Sequence, residues 1–182
     1  MLLNRKTLIS SVVFLIIILV GIILFYYNDS LNADNNALMY NQKYSKYIHK
    51  LTGETLFDLN KYKNYKSSAS KIILVLYYKY DCSSCIMECF NMLNNLSEIN
   101  IEKVVFTDSD YNNDMKIYGL NIKRYIKFYI DEHKSIKRKL KNVSTPAIIF
   151  ISNNRIKNII FPSIILPKKQ KNDFWRSIKN NN

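Results

Sequence analysis

The stretch "KIILVLYYKYDCSSCIMECF", residues 71–90, decides the fold of this chain. It opens with an apolar run whose length and β-branched content predict a buried central strand. After it, apolar residues recur at helical spacing, the pattern of a helix with one buried face: Cys85, Met87, Cys89, Phe90, Leu93 and Leu96. A strand therefore runs directly into a helix, and the C-x-x-C pair Cys82 and Cys85 lies at the helix's first turn.

This placement suits a pair of reactive cysteines. A helix N-terminus carries partial positive charge and unpaired N–H groups, so it stabilises a thiolate and lowers its pKa. We expect Cys82 to be the more exposed and to attack disulfides, and Cys85 to resolve the mixed disulfide. The alternative is a structural disulfide or inert thiols. We interpret Cys89 as a buried core residue, with a second resolving thiol as the alternative.

The rest of the chain predicts an α/β fold with a mixed sheet. Two further strands are expected at 101–108 and 126–131, followed by a short basic helix at 132–141. A β-hairpin is predicted over 146–152 and 155–162, with the Asn153-Asn154 pair as its turn. The final helix is predicted over 172–179, with Asn172 or Asp173 as its N-cap and Phe174, Trp175 and Ile178 facing inward.

One more motif, "VSTPAIIF" (143–150), places Thr145-Pro146 at a strand start. Together with the C-x-x-C pair, it makes residues 48–179 resemble the thioredoxin superfamily, most closely its membrane-anchored TlpA/ResA-like branch. The resemblance includes "GETLFDL" (53–59) before the first central strand, and Glu88 in a C-x-x-C-x-x-E pattern.

The resemblance implies a thioredoxin-like fold and an extracytoplasmic thiol–disulfide oxidoreductase, commonly a reductant. It also implies a cis Thr145-Pro146 bond facing the cysteines and contacting substrate; an ordinary strand-start proline is the alternative. Glu88 would relay protons to the cysteine pair, unless it is an ordinary surface residue. We expect no cofactor beyond the redox-active Cys82–Cys85 disulfide, and we assign no metal ligands.

Asp81 stands where the family usually has Trp before the first cysteine. A carboxylate beside Cys82 disfavours the thiolate by like-charge repulsion and opposes the helix dipole. We therefore predict that Asp81 keeps the pKa of Cys82 near its free value and makes the couple reducing.

Residues 8–27 form an uncharged apolar run long enough to span a bilayer as a helix. Arg5 and Lys6 precede it, and no Lys follows before Lys43, so the positive-inside rule predicts a cytoplasmic tail at 1–7 and an exported domain. We expect a signal-anchor helix at 8–27, a polar tether at 28–45 and the thioredoxin-like domain at 46–182. A cleaved signal peptide is the alternative, although no A-x-A-like site follows the run.

The net charge of +13 is compatible with nucleic-acid binding. However, only five of the 27 basic residues are Arg, and no nucleic-acid-binding motif is present. We expect a membrane-tethered oxidoreductase that reduces disulfides of exported cysteine-containing proteins. An upstream membrane thiol would supply its electrons, and no nucleic acid is involved. The alternatives are a Sco-like copper carrier, which would pair Cys85-x-x-x-Cys89 with His49 or His133, and a non-catalytic interaction domain.

Overall fold

The computed structural model describes residues 5–52, 57, 59, 65, 67–94, 96, 101–108, 126–131, 133–163 and 165–180. These residues form a mixed sheet of five strands: β1 (Lys71–Leu76), β2 (Glu102–Thr107), β3 (Ile126–Ile130), β4 (Ala147–Ser152) and β5 (Arg155–Ile160). Their order is β3-β2-β1-β4-β5, with β1, β2 and β3 parallel and β4 antiparallel to both of its neighbours. The mixed sheet expected from the sequence is confirmed.

Helices flank this sheet. They are α1 (Arg5–Leu51), α2 (Ser83–Asn94), α3 (Ser135–Lys139) and α4 (Lys168–Lys179). β1 is buried except at its first residue and lies between β2 and β4, as its continuous apolar sequence predicts. Since the turn after β1 leads straight into α2, the C-x-x-C pair lies at the carboxyl end of the central strand.

The β1–β4 register brings the second half of the predicted site to the same edge. Leu76, the last residue of β1, pairs with Ala147, the first residue of β4. Pro146 therefore lies beside the end of β1, although it is far from the cysteines in sequence. The Thr145–Pro146 peptide bond is cis, which confirms the geometry that the resemblance implied.

α2 buries one face against the sheet through Cys85, Ile86, Cys89, Phe90, Met92 and Leu93. Met87, which we expected on that face, is exposed, because it follows Cys85 by only two residues and so points to another side of the helix. Beyond the end of α2, Lys103 of β2 donates from its buried Nζ to the carbonyl oxygens of Leu93 at 3.2 Å and Leu96 at 2.6 Å. A cation there satisfies carbonyls that have no partner within the helix.

The hairpin prediction is confirmed. Asn153 and Asn154 connect β4 to β5 with φ values of 50° and 59°. Asn adopts this left-handed region more readily than most residues, and a two-residue hairpin turn of this type requires it twice.

Two elements differ from the prediction. α4 begins at Lys168, directly after Pro167, so neither Asn172 nor Asp173 is its cap. Lys and Gln are good helix formers, and Pro167 supplies the fixed extended conformation that starts the helix four residues earlier. Phe174 and Ile178 are buried and Trp175 is half-buried, as expected.

The second difference is at residues 28–45, where we expected little regular structure. They are helical and continue α1 without a break to Leu51. The reason lies in the fold: the side chains of Tyr40, Tyr44 and Leu51 are buried, and all three lie on one face of the helix. Most of the 53–59 motif lies outside the described residues, although Phe57 and Leu59 are described and both are buried.

Within the described part of the chain, one helix is long and apolar enough to cross a membrane. This is α1, whose best 18-residue window has a mean hydropathy of 2.6 and no buried residue. The exposed apolar side chains run from Val12 to Tyr27. Contiguous exposed apolar surface of this kind marks a membrane or protein interaction site.

Candidate active site

Cys82 directly precedes α2 and acts as its N-cap. Its carbonyl oxygen accepts from the backbone N–H of Ile86 at 2.9 Å, and its Sγ accepts from the backbone N–H of Cys85 at 3.3 Å. The sulfur thus takes the position that a Ser or Asp oxygen usually takes at a helix start. This N–H, together with the helix dipole, would stabilise a thiolate on Cys82.

The two cysteines differ in exposure in the predicted sense. Cys82 is exposed, whereas Cys85 is only 7% exposed, and the two are joined as a disulfide with their Cα atoms 5.2 Å apart. The hydroxyl of Ser84 lies 3.1 Å from Cys82 Sγ. Sequence reasoning did not single out Ser84, and it offers Cys82 a second hydrogen-bond donor.

The cysteines and the cis-proline loop line one groove with a volume of about 660 Å³. Its lining residues come from α1, from the start of α2, from the cis-proline loop and from the segment after β5: Met39, Gln42, Lys43, Tyr44, Cys82, Cys85, Thr145, Pro146, Pro162, Ser163 and Ile165. The structure therefore brings Cys82, Cys85, Thr145 and Pro146 together, as predicted.

Asp81 connects the two loops of the site. Its Oδ2 accepts from the backbone N–H of Tyr78 at 2.8 Å, and its Oδ1 accepts from the hydroxyl of Thr145 at 2.9 Å. Lys137 Nζ donates to the same Thr145 hydroxyl at 3.3 Å. Burial raises the pKa of the Asp81 carboxyl above its ordinary value, while these hydrogen bonds and Lys137 act in the opposite direction. Beyond its charge, Asp81 thus fixes the C-x-x-C turn against the cis-proline loop.

A second set of contacts supports this turn from behind. The Tyr78 hydroxyl donates to the buried Asp131 Oδ2 at 3.0 Å, and Asp131 also accepts from the backbone N–H groups of Ser135 and Ile136 at the start of α3. Burial, with Asp131 as the second cause, raises the pKa of Tyr78, so this hydroxyl stays a donor at physiological pH. These contacts tie α3 and its Lys137 to the turn before the cysteines.

Cys89 is fully buried beneath the site, and burial raises the pKa of its thiol well above its usual value. The core interpretation of Cys89 therefore agrees with its position. Among the described residues, no three His, Cys, Asp or Glu side chains form a cluster that could hold a metal ion. His49 is exposed on α1 and His133 is exposed after β3, so the copper alternative gains no support from them.

Glu88 lies on α2 and is half-buried. Its Oε1 accepts an ion-paired hydrogen bond from Lys171 of α4. This contact joins α2 to the C-terminal helix and orients the carboxylate.

The α1 residues of the groove were not predicted. Tyr40, Tyr44 and Tyr47 follow one another at spacings of four and three residues, so a helical stripe was present in the sequence. It was missed because it crosses the expected boundary at residue 46, and the Asn-rich sequence before it has little apolar periodicity.

No protein-family model matches the sequence, and no curated protein matches it either. Solved structures similar to this chain include StoA from Bacillus subtilis, at 10% identity and a TM-score of 0.44 over 58% of this chain and 83% of that one. A putative thiol:disulfide interchange protein DsbE from Chlorobium tepidum is similar at 12% identity and a TM-score of 0.49, over 62% and 80%. A thioredoxin-like protein from Parabacteroides distasonis is similar at 14% identity and a TM-score of 0.46, over 69% and 98%.

Proposed function

We propose that this chain is a membrane-tethered thiol–disulfide oxidoreductase that reduces disulfides of exported proteins through Cys82 and Cys85. The observation that carries the proposal is the hydrogen bond from the Cys85 N–H to the sulfur of exposed Cys82, in a groove shared with the cis-proline loop. A buried structural disulfide would need neither the exposure of Cys82 nor an open groove beside it.

The reaction follows from the different exposure of the two cysteines. In the reduced protein, the Cys82 thiolate attacks a substrate disulfide, and one substrate thiol leaves with a proton. Cys85 then attacks the Cys82 sulfur, the second substrate thiol leaves, and the protein disulfide forms. Two electrons and two protons pass to the substrate, so a dithiol donor must reduce the protein again.

Thr145 and Pro146 contact the substrate segment in this proposal, since both line the groove beside Cys82. Glu88, three residues after Cys85 on α2 and ion-paired with Lys171, relays protons to the pair in this proposal. No cofactor besides the cysteine pair enters the reaction.

The apolar part of α1 anchors the chain in the membrane with the N-terminus in the cytoplasm and the domain outside. Support comes from the exposed apolar surface of α1 and from Arg5 and Lys6 before it. From Tyr27 to Met39, the helix rises roughly 18 Å, so the groove would lie close to the membrane surface. A membrane protein with an exported thiol pair is therefore a suitable electron donor.

The experiment is insulin-disulfide reduction by the full-length chain in detergent micelles, with dithiothreitol as the electron donor. We expect catalysis by the wild type and none by Cys82→Ser. Cys85→Ser, reduced and then mixed with insulin after removal of the dithiothreitol, should trap a mixed disulfide on Cys82, because that variant has no resolving thiol. Cys89→Ala is the matched control and should keep most of the activity. Wild-type turnover no higher than that of Cys82→Ser would contradict the oxidoreductase proposal and favour a non-catalytic domain.

A further inference from the structure

We propose that the anchor helix α1 selects the substrate: its residues Met39 and Lys43 bind an apolar side chain and a carboxylate beside the substrate's disulfide. This inference rests on the proposed function and adds a substrate class to it. The class is an extended segment in which a disulfide-bonded cysteine is flanked by an acidic and an apolar residue.

α1 is a fixed wall of the groove because it is bound to the end of the sheet. The Tyr40 hydroxyl accepts from the backbone N–H of Phe161 at 2.9 Å, and the Tyr44 ring stacks on that of Phe161 with centroids 4.5 Å apart. The residue after Tyr40 is also bound: Gln170 of α4 donates to the side chain of Asn41 at 3.0 Å. The groove wall formed by α1 is therefore held by packing and hydrogen bonds to β5 and α4.

The charge on this wall favours an acidic segment. Lys43 is the single charged residue among those that line the groove in the described part of the chain. Its Nζ lies 5.1 Å from the ring centre of Tyr44, which lines the same groove, and no carboxylate pairs with it among the described residues. The nearby Asp81 carboxylate is already bound to the Tyr78 N–H and to Thr145. Among the described residues, a substrate carboxylate would therefore meet a lysine that pairs with no other carboxylate.

The remaining surface favours an apolar neighbour. Met39 is 53% exposed and lines the groove together with Pro146, Pro162 and Ile165. A flexible thioether between rigid prolines can adapt to side chains of different shape. An apolar side chain next to the substrate cysteine would cover this exposed surface while Cys82 reaches the sulfur.

The chain contains matched controls for both positions. Lys46 is exposed on the same helix and its Nζ lies 5.0 Å from the Tyr47 ring, as Lys43 does from Tyr44, but Lys46 does not line the groove. Leu38 is 58% exposed next to Met39 and does not line it either. Lys46→Glu and Leu38→Ala therefore reproduce the change in charge or size away from the groove.

The test uses the full-length chain in micelles, reduced with dithiothreitol that is then removed. The probes are short peptides whose single cysteine carries a neutral 2-thiopyridyl disulfide, with Glu, Gln or Lys, and Leu or Gly, beside the cysteine. Cys82 attacks the peptide sulfur and expels pyridine-2-thione, whose absorbance gives the rate. Cys85 then releases the peptide thiol, leaving the protein disulfide.

We expect the wild type to react roughly fivefold to tenfold faster with the Glu peptide than with the Lys peptide at low salt. The Glu peptide forms a solvent-exposed ion pair with Lys43, whereas the Lys peptide is repelled by it. Lys43→Glu should invert this ratio and Lys43→Gln should bring it close to one, whereas Lys46→Glu should keep the wild-type ratio. Met39→Ala should lower the Leu-to-Gly ratio, and Leu38→Ala should not.

Equal ratios in Lys43→Glu and Lys46→Glu would overturn the inference. A failure of the proposed function looks different: the wild type would then react with 2,2′-dipyridyl disulfide no faster than an ordinary cysteine. Fast reaction with that small disulfide but no discrimination among peptides would refute the substrate class and leave the oxidoreductase proposal standing.

Discussion

Replacing Tyr40 with Phe should destabilise the protein by removing the hydroxyl that holds α1 against β5. Tyr40 is 1% exposed, and its hydroxyl accepts from the Phe161 N–H at 2.9 Å, while Phe161 is also 1% exposed. The substitution leaves the ring in place but leaves a buried backbone N–H without its acceptor. An unsatisfied buried donor costs about 1–3 kcal/mol.

A loss of about 2 kcal/mol corresponds to a fall in Tm of roughly 4–8 °C for a chain of this size. Thermal unfolding of the full-length chain in micelles, followed by the fluorescence of its single Trp, Trp175, measures the change. This residue reports on α4, which packs against β5. Because a loosened wall positions Lys43 less well, the preference for Glu peptides should also fall in this variant.

Tyr44→Phe is the matched control, since it makes the same change one turn later. Its ring is also buried, but its hydroxyl has no hydrogen-bond partner among the described residues, so the expected change is within about 0.5 kcal/mol. If Tyr40→Phe and Tyr44→Phe unfold at the same temperature, the hydroxyl of Tyr40 does not hold the helix and our account of the groove wall is wrong.

Four further predictions concern the site and α1. Asp81→Asn should lower the pKa of Cys82 and raise the reduction potential of the Cys82–Cys85 couple above its expected wild-type value, which is near thioredoxin's at about −270 mV. The potential rises by about 30 mV for each 1.4 kcal/mol by which the substitution stabilises the reduced form. Alkylation rate against pH measures the pKa and glutathione titration measures the potential, and unchanged values would contradict the charge argument. Burial raises the folded-state pKa of Asp81, so ionisation of this carboxyl costs folding stability. The stability of the wild type relative to Asp81→Asn should therefore be greatest below pH 3.8 and fall as pH rises through the raised pKa. Chemical denaturation across this range measures the direction of the change. Cys89 should resist alkylation in the folded protein and react once the protein is unfolded, because its thiol is buried and has a raised pKa. Rapid labelling of Cys89 in the folded protein, measured by mass spectrometry, would contradict its assignment to the core. An extracytoplasmic reporter enzyme fused after Asn182 should be active, with protease removing the domain from intact spheroplasts; protection of the domain would reverse the proposed topology.

The sequence by itself determined the elements whose signals are local. The apolar run of β1, the helical spacing of α2 with two cysteines at its start, and the Asn153-Asn154 turn each depend on neighbouring residues and on backbone preferences. The same is true of the apolar segment of α1, where length and absence of charge suffice to identify a candidate span. The cis-proline followed from the resemblance rather than from any local signal.

Only the tertiary structure decided what covers each face and which side chains meet. The Asp81–Thr145 contact joins residues 64 positions apart, the Glu88–Lys171 pair joins residues 83 apart, and the Tyr40–Phe161 hydrogen bond joins residues 121 apart. Periodicity shows that a helix has a face to bury, but the partner of that face depends on strand order and register. The polar composition of residues 28–45 therefore predicted a tether, whereas the end of β5 offered Tyr40 and Tyr44 a surface to pack against. This packing made α1 a wall of the groove beside the cysteine pair.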